Sequence, residues 1–434
     1  MALTLQQLCK DKNIKYMLVS FVDLFGVMRS KLVPASAAQA TQEGGAAFAG
    51  FATHLDLTPA HPDIFVMPDP ETFTPMPWQP DVAWVTGDLM MDGEPIAHSP
   101  RNLLKKLTLQ AKKSGYTLNT GVEPEFFILN KAGQQIADAQ DQQAKPCYDQ
   151  VALMRNYKVI DEICTAMNEM GWKPYQNDHE DGNGQFEMNW HYDDALKTAD
   201  RHSLFKILAR TIAEKNDLRI TFMPKPFSHL SGNGCHAHFS LWDAANKNNL
   251  FVSKTDSHGL SELAYQFLGG VMTHAKAICA LTNPSVNSYQ RLNAVGTSSG
   301  ATWSPNRISY TGNNRTHMVR IPDGGRFELR VGDGSANPYL LQAGLLAAGL
   351  DGLARKLNPG ERSDENMYTS STAEKFEKLP NHLIESLNAL ESDTVLREIL
   401  GQQFVTSYIK LRTQDWKKHM SMVTDWDRIN TLDC

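Results

Sequence analysis

The sequence predicts an α+β protein of two domains: a small β-rich domain over residues 1–98 and a larger one over 99–434, in which antiparallel strands form a curved sheet backed by helices. Three observations predict it. A length of 434 residues suggests two or three domains. Near Pro100 the chain changes from short apolar runs among Pro, Gly and Asp to long amphipathic segments. Beyond that point strand and helix patterns alternate without strict βαβ order, which favours antiparallel pairing over a parallel sheet.

Residues 3–12 read as a short helix. Residues 15–22 read as a strand, Asp23-Leu24-Phe25-Gly26 as a turn, and a second strand continues to Leu32, which makes a hairpin-like unit. Residues 41–100 hold short strand candidates, such as 82–87, and no long helix. Residues 101–114 carry apolar side chains at helical spacing, with lysines on the other face. Strands are then expected at 122–129, 184–190, 218–223, 234–241 and 326–331, and helices at 151–170, 193–216, 259–281 and 338–357. Residues 380–422 read as a helical tail. No internal repeat or low-complexity linker interrupts this order.

Composition excludes several function classes. A net charge of −6, with no basic run, argues against a nucleic-acid partner. The N-terminus lacks the charged and long apolar regions of a secretory signal. The apolar stretch 339–357 is broken by Gln342, Asp351, Arg355 and Lys356, so it reads as a buried helix and not a membrane span. Six scattered cysteines without a Cys-x-x-Cys pair suggest reduced thiols in a cytoplasm and no zinc site.

The chemistry concentrates on alternating strands. Side chains two apart share a strand face, so Glu123 and Glu125 point one way in Val122-Glu123-Pro124-Glu125-Phe126. The same holds for His236, His238 and Ser240; for Arg326, Glu328 and Arg330; and for Gln185, Glu187 and Asn189. Each strand alone is compatible with a solvent-facing sheet. Jointly they carry carboxylates, imidazoles and guanidiniums, and none of the Lys and Thr usual on solvent faces. If the faces converge, Glu123, Glu125, Glu180, Glu187 and Glu328 share one cavity. Two carboxylates about 4 Å apart repel by roughly 4 kcal/mol at an effective dielectric of about 20, so five together need cations. Mg²⁺ or Mn²⁺ with oxygen ligands and one imidazole from His236 fits, and two such ions suit phosphoryl transfer. Arg291, Arg315, Arg320, Arg326 and Arg330 add forks for phosphate and carboxylate. Within Asp178-His179-Glu180-Asp181-Gly182-Asn183-Gly184, Asp178 and Asp181 read as turn residues. Gly296-Thr297-Ser298-Ser299-Gly300 matches a nucleophile elbow by letters only, since Pro305 follows where a helix should. No P-loop pattern is present.

These clusters resemble the glutamine synthetase family over essentially the whole chain. The carriers are Gly121-Val122-Glu123-Pro124-Glu125-Phe126-Phe127, Gly184-Gln185-Phe186-Glu187, Met223-Pro224-Lys225-Pro226, Gly232-Asn233-Gly234-Cys235-His236-Ala237-His238, Asn287-Ser288-Tyr289-Gln290-Arg291, Asn314-Arg315-Thr316, Arg320-Ile321-Pro322 and Asn337-Pro338-Tyr339-Leu340. Within the family the chain is most similar to the bacterial type III GlnT-like group, which includes γ-glutamylmethylamide synthetases. The resemblance implies a β-grasp-like N-terminal domain and a half-barrel catalytic domain. It implies an ATP-dependent glutamate–amine ligase acting through a γ-glutamyl phosphate, with methylamine or ammonia as acceptor, and two or three Mg²⁺ or Mn²⁺ ions per site. Glu125, Glu180 and Glu187 would hold a first metal, and Glu123, His236 and Glu328 a second. His238, Ser240, Arg315, Arg320 and Arg326 would contact ATP; Gly232, Arg291 and Arg330 would bind glutamate. Asp23 would deprotonate the amine in the site of a neighbouring subunit, within a homo-dodecamer of two hexameric rings. Tyr148 matches the family's ammonium-pocket tyrosine.

Three departures bear on substrate. The segment after Arg291, Leu292 to Trp303, lacks the flap glutamate usual in the family and carries Ala301 and Trp303. Asn313 stands where arginine is common, and the stretch from Pro322 to Arg326 is short. Removing a carboxylate and adding apolar surface suits an amine with a methyl group, although one methyl-sized contact discriminates by only about 1–3 kcal/mol. The expectation is therefore methylamine, with ammonia as the alternative. Tyr368 falls near the family's adenylylation tyrosine, but in surroundings that do not predict that control.

Overall fold

The computed structural model describes residues 3–434. It is α+β, with two sheets. The first contains seven strands. Tyr16–Val22 pairs antiparallel with Met28–Pro34 and parallel with Gln79–Met91. The hairpin turn between the first two strands needs a left-handed residue, and Gly26 supplies it with φ 81°. The Asp23 carboxylate satisfies the turn by accepting the N–H groups of Phe25 (3.0 Å) and Val27 (3.1 Å). The strand expected at 82–87 is the middle of the longer Gln79–Met91 element.

The second sheet has nine strands, centred on Tyr116–Asn130. Cys235–Asp243 flanks it on one side and Gln185–Trp190 on the other. Phe327–Leu329 and Val319–Arg320 extend one edge, and Pro174–His179 the other. All these pairings are antiparallel, as the sequence order predicts. One face is apolar: Phe126, Phe186, Met188, Phe239, Phe327 and Leu329 are buried in the main core. Helices Ala195–Lys215 and Pro338–Arg355 belong to the same core. The second starts where Asn337 caps the N–H groups of Tyr339 and Leu340, with Pro338 in the first turn.

Several elements differ from expectation. The helix expected at 259–281 is two, Glu262–Thr273 and Ala275–Thr282. They break at His274, whose ring is held by Asp351 (2.9 Å) and Asp393 (2.5 Å). The helix expected at 151–170 divides at Asn156, whose side chain bonds the Ala152 carbonyl (2.9 Å) and so competes with the helical ladder. The strand at 326–331 shortens to Phe327–Leu329. The tail is three helices, broken at Asp393 and at Gly401 (φ 96°).

Arg101 ties the two sheets together. It lies in helix Pro100–Lys113 and reaches Asp69 (3.1 Å) and Asp88 (2.7 Å) beside the first sheet and Asp200 (3.1 Å) behind the second. Among the described residues no helix is long and apolar enough to cross a membrane.

Candidate active site

Strand register assembles the polar face. Glu187 stands opposite Glu125, and Asp178 opposite Glu187. His236 stands opposite Glu123. His238 pairs with Glu328, and Glu328 with Arg320. Directly opposed side chains lie about 5 Å apart, so eight acidic and imidazole groups, seven from five strands and Glu180 from an adjoining loop, meet on one concave surface. Three groups of ligand atoms lie within 4.8 Å of one another: Glu123, Glu187 and His236; Glu123, His238 and Glu328; and Asp178, Glu180 and Glu187.

The hydrogen bonds sort these groups. Glu123 takes His238 Nε2 at 2.8 Å and His236 Nδ1 at 3.3 Å. Glu125 accepts the Gly234 N–H (2.7 Å) and the Gln185 amide (3.0 Å). Glu328 is fully buried between Arg320 (2.5 Å) and Arg330. Glu187 accepts only Asn189 (2.9 Å). Among the described residues, Asp178 Oδ1 and His236 Nε2 find no hydrogen-bond partner although both are buried. A hard divalent ion accepts oxygen and one imidazole donor, so this donor set fits metal.

Electrostatics separate the two sides of the surface. Burial would raise the Glu123 pKa, but His236 and His238 outweigh it and hold it well below the usual range. Burial likewise opposes Arg330 and the histidines at Glu328, which win and pull it to about 2. The other side has no such counter-charge. Burial, reinforced by Glu125 and Asp178, pushes Glu180 up; burial with Glu123, Glu180 and Glu125 pushes Glu187 up. Asp178 is pushed to about 6, by burial first and then by Glu123 and Glu125. The side formed by Asp178, Glu180 and Glu187 is therefore where added positive charge changes most.

Beside Glu123 and His238 opens a cavity of about 430 Å³, lined by Ser240, Arg326, Tyr175, Trp242 and Asn249 among others. Arg326 bonds His238 Nδ1 (3.2 Å) and pairs with Asp323 (2.9 Å). Ser240 accepts the Trp242 indole N–H (2.9 Å). On the other flank Arg291 is buried, donating to the Val331 carbonyl (3.0 Å). A Cβ on Gly234 would sit 2.8 Å from His236 Nε2 and 2.9 Å from both Arg291 Nη2 and Glu125 Oε1, so a side chain there would push all three site groups aside. The Gly232 carbonyl accepts Gln185 (3.1 Å).

Of the remaining expected residues, Tyr148 borders the cluster: its N–H donates to the His179 carbonyl (2.9 Å), and burial, then Glu180 and Asp178, raise the pKa of its hydroxyl. Arg315 is exposed. Asp23 is buried in the first sheet, where its carboxylate meets Arg29 (2.8 Å) and His54 (3.2 Å) as well as its own turn. Asp178, read from sequence as a turn residue, belongs to the strand Pro174–His179 and sits with Glu180 and Glu187. The available signal was its spacing of two from Glu180. His238 is placed to share a metal group with Glu123 and Glu328 as well as to face the cavity. Gln185, which joins Glu125, Gly232 and Asn233, was also missed as a site residue.

Comparison with known proteins agrees with this geometry. Residues 97–430 match the glutamine synthetase catalytic domain. A glutamine synthetase of Rhizobium leguminosarum bv. phaseoli is 54% identical over the whole of both chains. A glutamate–methylamine ligase of Methyloversatilis universalis is 42% identical over 97% of each. A solved GmaS–ADP complex superposes with a TM-score of 0.96 at 52% identity, covering both chains completely. The chain belongs to the glutamine synthetase family.

Proposed function

We propose that this protein is an ATP-dependent ligase that joins the γ-carboxylate of L-glutamate to a small amine through a γ-glutamyl phosphate, with methylamine as the favoured acceptor. The register that sets Glu125, Glu187 and Asp178 in one row, beside Glu123 with His236 and Glu328 with His238, carries the reading. That row lies between a cavity of nucleotide size and the buried Arg291 and Arg330.

In this reading Arg291, Arg330 and the Gly232 backbone hold glutamate. His238, Ser240, Arg315, Arg320 and Arg326 hold ATP, its adenosine end in the cavity. Glu125, Glu180 and Glu187, extended by Asp178, would bind one divalent ion; Glu123, His236 and Glu328 would bind another. When bound, two or three Mg²⁺ or Mn²⁺ ions supply positive charge to the phosphate oxygens. The glutamate γ-carboxylate attacks the γ-phosphorus in line, and ADP leaves. The arginine forks oppose the charge that spreads over the transferring oxygens. The amine then attacks the acyl carbon, phosphate leaves, and the amide forms. A carboxylate must first take the proton that the amine carries at neutral pH. Asp23 of a neighbouring subunit is the candidate, in a dodecamer of two hexameric rings, and Arg29 must release it. Tyr148 borders the amine pocket.

Residues 1–98 and 99–434 act as separate domains in this scheme, so that the first sheet of one subunit reaches the second sheet of the next. Six free cysteines suit a reducing cytoplasm.

Methylamine is favoured because the 292–303 segment brings no carboxylate to the site and carries Ala301 and Trp303. The likeness to a glutamate–methylamine ligase and to GmaS supports it; the likeness to rhizobial glutamine synthetases supports ammonia. Phosphate release from ATP with glutamate plus methylamine, set against glutamate plus ammonium, decides. No release with either amine would sink the ligase reading. A higher kcat/KM with ammonium would make the protein a glutamine synthetase.

A further inference from the structure

We infer that Asp181 is the latch that holds the 292–303 flap against the metal wall, so that a flap serine on a wall carboxylate, and not an acid on the flap, closes the amine side. This rests on the ligase reading above. Asp181 follows Glu180 and is buried. Three donors from three separate segments converge on it. Ser231, beside Gly232, and Ser299, on the flap, both donate hydroxyls to Oδ2. The thiol of Cys147, beside Tyr148, lies 3.7 Å from Oδ1. One carboxylate thus joins the metal wall, the glutamate loop, the amine-pocket loop and the flap.

Little else holds the flap's centre. Val295 is fully exposed, and a Cβ added at Gly296 or Gly300 would meet nothing within 4 Å. The first half is pinned where Ser298 donates its N–H (2.8 Å) and hydroxyl (3.1 Å) to the His229 carbonyl. Thr297 bonds the Ala301 carbonyl and folds the segment into a tight turn. At the far end Trp303 has φ 57°, a left-handed conformation costly for a bulky residue, and Arg330 donates to its carbonyl at 3.5 Å. Polar contacts, and not packing, therefore set whether the flap is shut, and the Ser299 bond to a charged acceptor is the strong one. An open flap admits water, which attacks the γ-glutamyl phosphate at the acyl carbon. The C–O bond to phosphate breaks, and glutamate and phosphate are returned without amide.

The test uses the full chain and two readouts. Hydrogen–deuterium exchange over the flap peptide should be about tenfold faster in Ser299→Ala and in Asp181→Asn, and close to wild type in Ser299→Thr, which keeps the hydroxyl. Unchanged exchange in Ser299→Ala overturns the latch, whatever the enzyme does. Asp181→Asn alters the wall itself, so Ser299→Ala carries the decision. The second readout is phosphate released per amide formed at saturating amine. It should be stoichiometric in wild type and about threefold higher in Ser299→Ala. A wild type that forms no amide overturns the ligase reading and leaves exchange to decide the latch. Equal coupling in wild type and Ser299→Ala overturns the latch's role in excluding water.

Discussion

Glu187→Gln should stabilise the metal-free protein and remove most of its stabilisation by metal. Glu187 shares a group with Asp178 and Glu180 whose ligand atoms lie within 4.8 Å. At that distance and an effective dielectric of about 20, each pair of charges repels by about 3.5 kcal/mol. The site escapes part of this by keeping protons, which is why Glu180 and Glu187 are raised and Asp178 sits at about 6. The repulsion that remains near neutral pH is therefore smaller, about 1–3 kcal/mol. The sign follows from linkage. A carboxyl whose folded pKa is raised costs stability as pH rises through and above its ordinary value of about 4.3. Glutamine removes that cost, so the gain is absent in acid and grows toward neutral pH. It also keeps an oxygen to accept the Asn189 amide, so the fold loses no hydrogen bond. With an unfolding entropy of about 2.1 cal/mol/K per residue over 434 residues, each kcal/mol moves Tm by about 1 °C. Melts in chelator at about pH 8 should therefore put the variant about 1–3 °C above wild type. Saturating Mn²⁺ at about a hundred times its Kd adds about 2.7 kcal/mol to wild type, and much less to the variant. A variant that melts below wild type in chelator, or gains as much from Mn²⁺, would refute the charge argument.

Other perturbations read different parts of the molecule. Arg101→Ala strands the buried Asp200 and unties the two sheets; chemical denaturation should show a loss of about 3–5 kcal/mol, and a loss under about 1 kcal/mol would contradict the network's role. At His274, burial works against Asp393 and Asp351, which prevail and raise its pKa. The ring's contribution is then fully present below the ordinary histidine value of about 6.5 and fades as pH rises through the higher folded value. The stability gap between wild type and His274→Asn should accordingly shrink from about pH 6 to about pH 9; a gap that widens with pH excludes a charged His274. Asp23→Asn keeps an acceptor for the turn while removing the base. Turnover should fall at least about a hundredfold with ATP affinity unchanged, whereas weakened ATP binding would remove Asp23 from the base role.

The sequence exposed what period alone decides. Alternation placed Glu123 with Glu125, and His236 with His238 and Ser240, before any partner was known, because strand side chains repeat every second residue. It could not say which rows face each other. Glu187 meets Glu125 and His236 meets Glu123 only through a register fixed by connections of 60 residues or more. Asp178 was lost for that reason: read locally it precedes Gly182 and Gly184 and resembles a turn, yet its strand partner is Glu187. The helix break at His274 was equally hidden. No proline or adjacent glycine marks it, and the two aspartates that hold the ring lie 77 and 119 residues away.

The flap shows how the two kinds of information combine. That residues 292–303 contain no acid is a statement about letters, and it was legible. That a carboxylate nevertheless meets the flap is a statement about contacts across 118 residues, from Asp181 to Ser299. The missing acid by itself argues for a site with weaker attraction for a cationic amine. A wall carboxylate whose Oδ2 already holds two hydroxyls, with a thiol at its Oδ1, offers a cationic amine little of that attraction. It restores closure alone. An amine that relies on apolar contact and on a closed, dry pocket gains from this arrangement, whereas ammonium, with four N–H donors and no apolar surface, does not. The latch and the methylamine preference are therefore one physical argument, and restoring an acid to the flap with Ala301→Glu should shift kcat/KM toward ammonium. A shift toward methylamine would separate the two ideas.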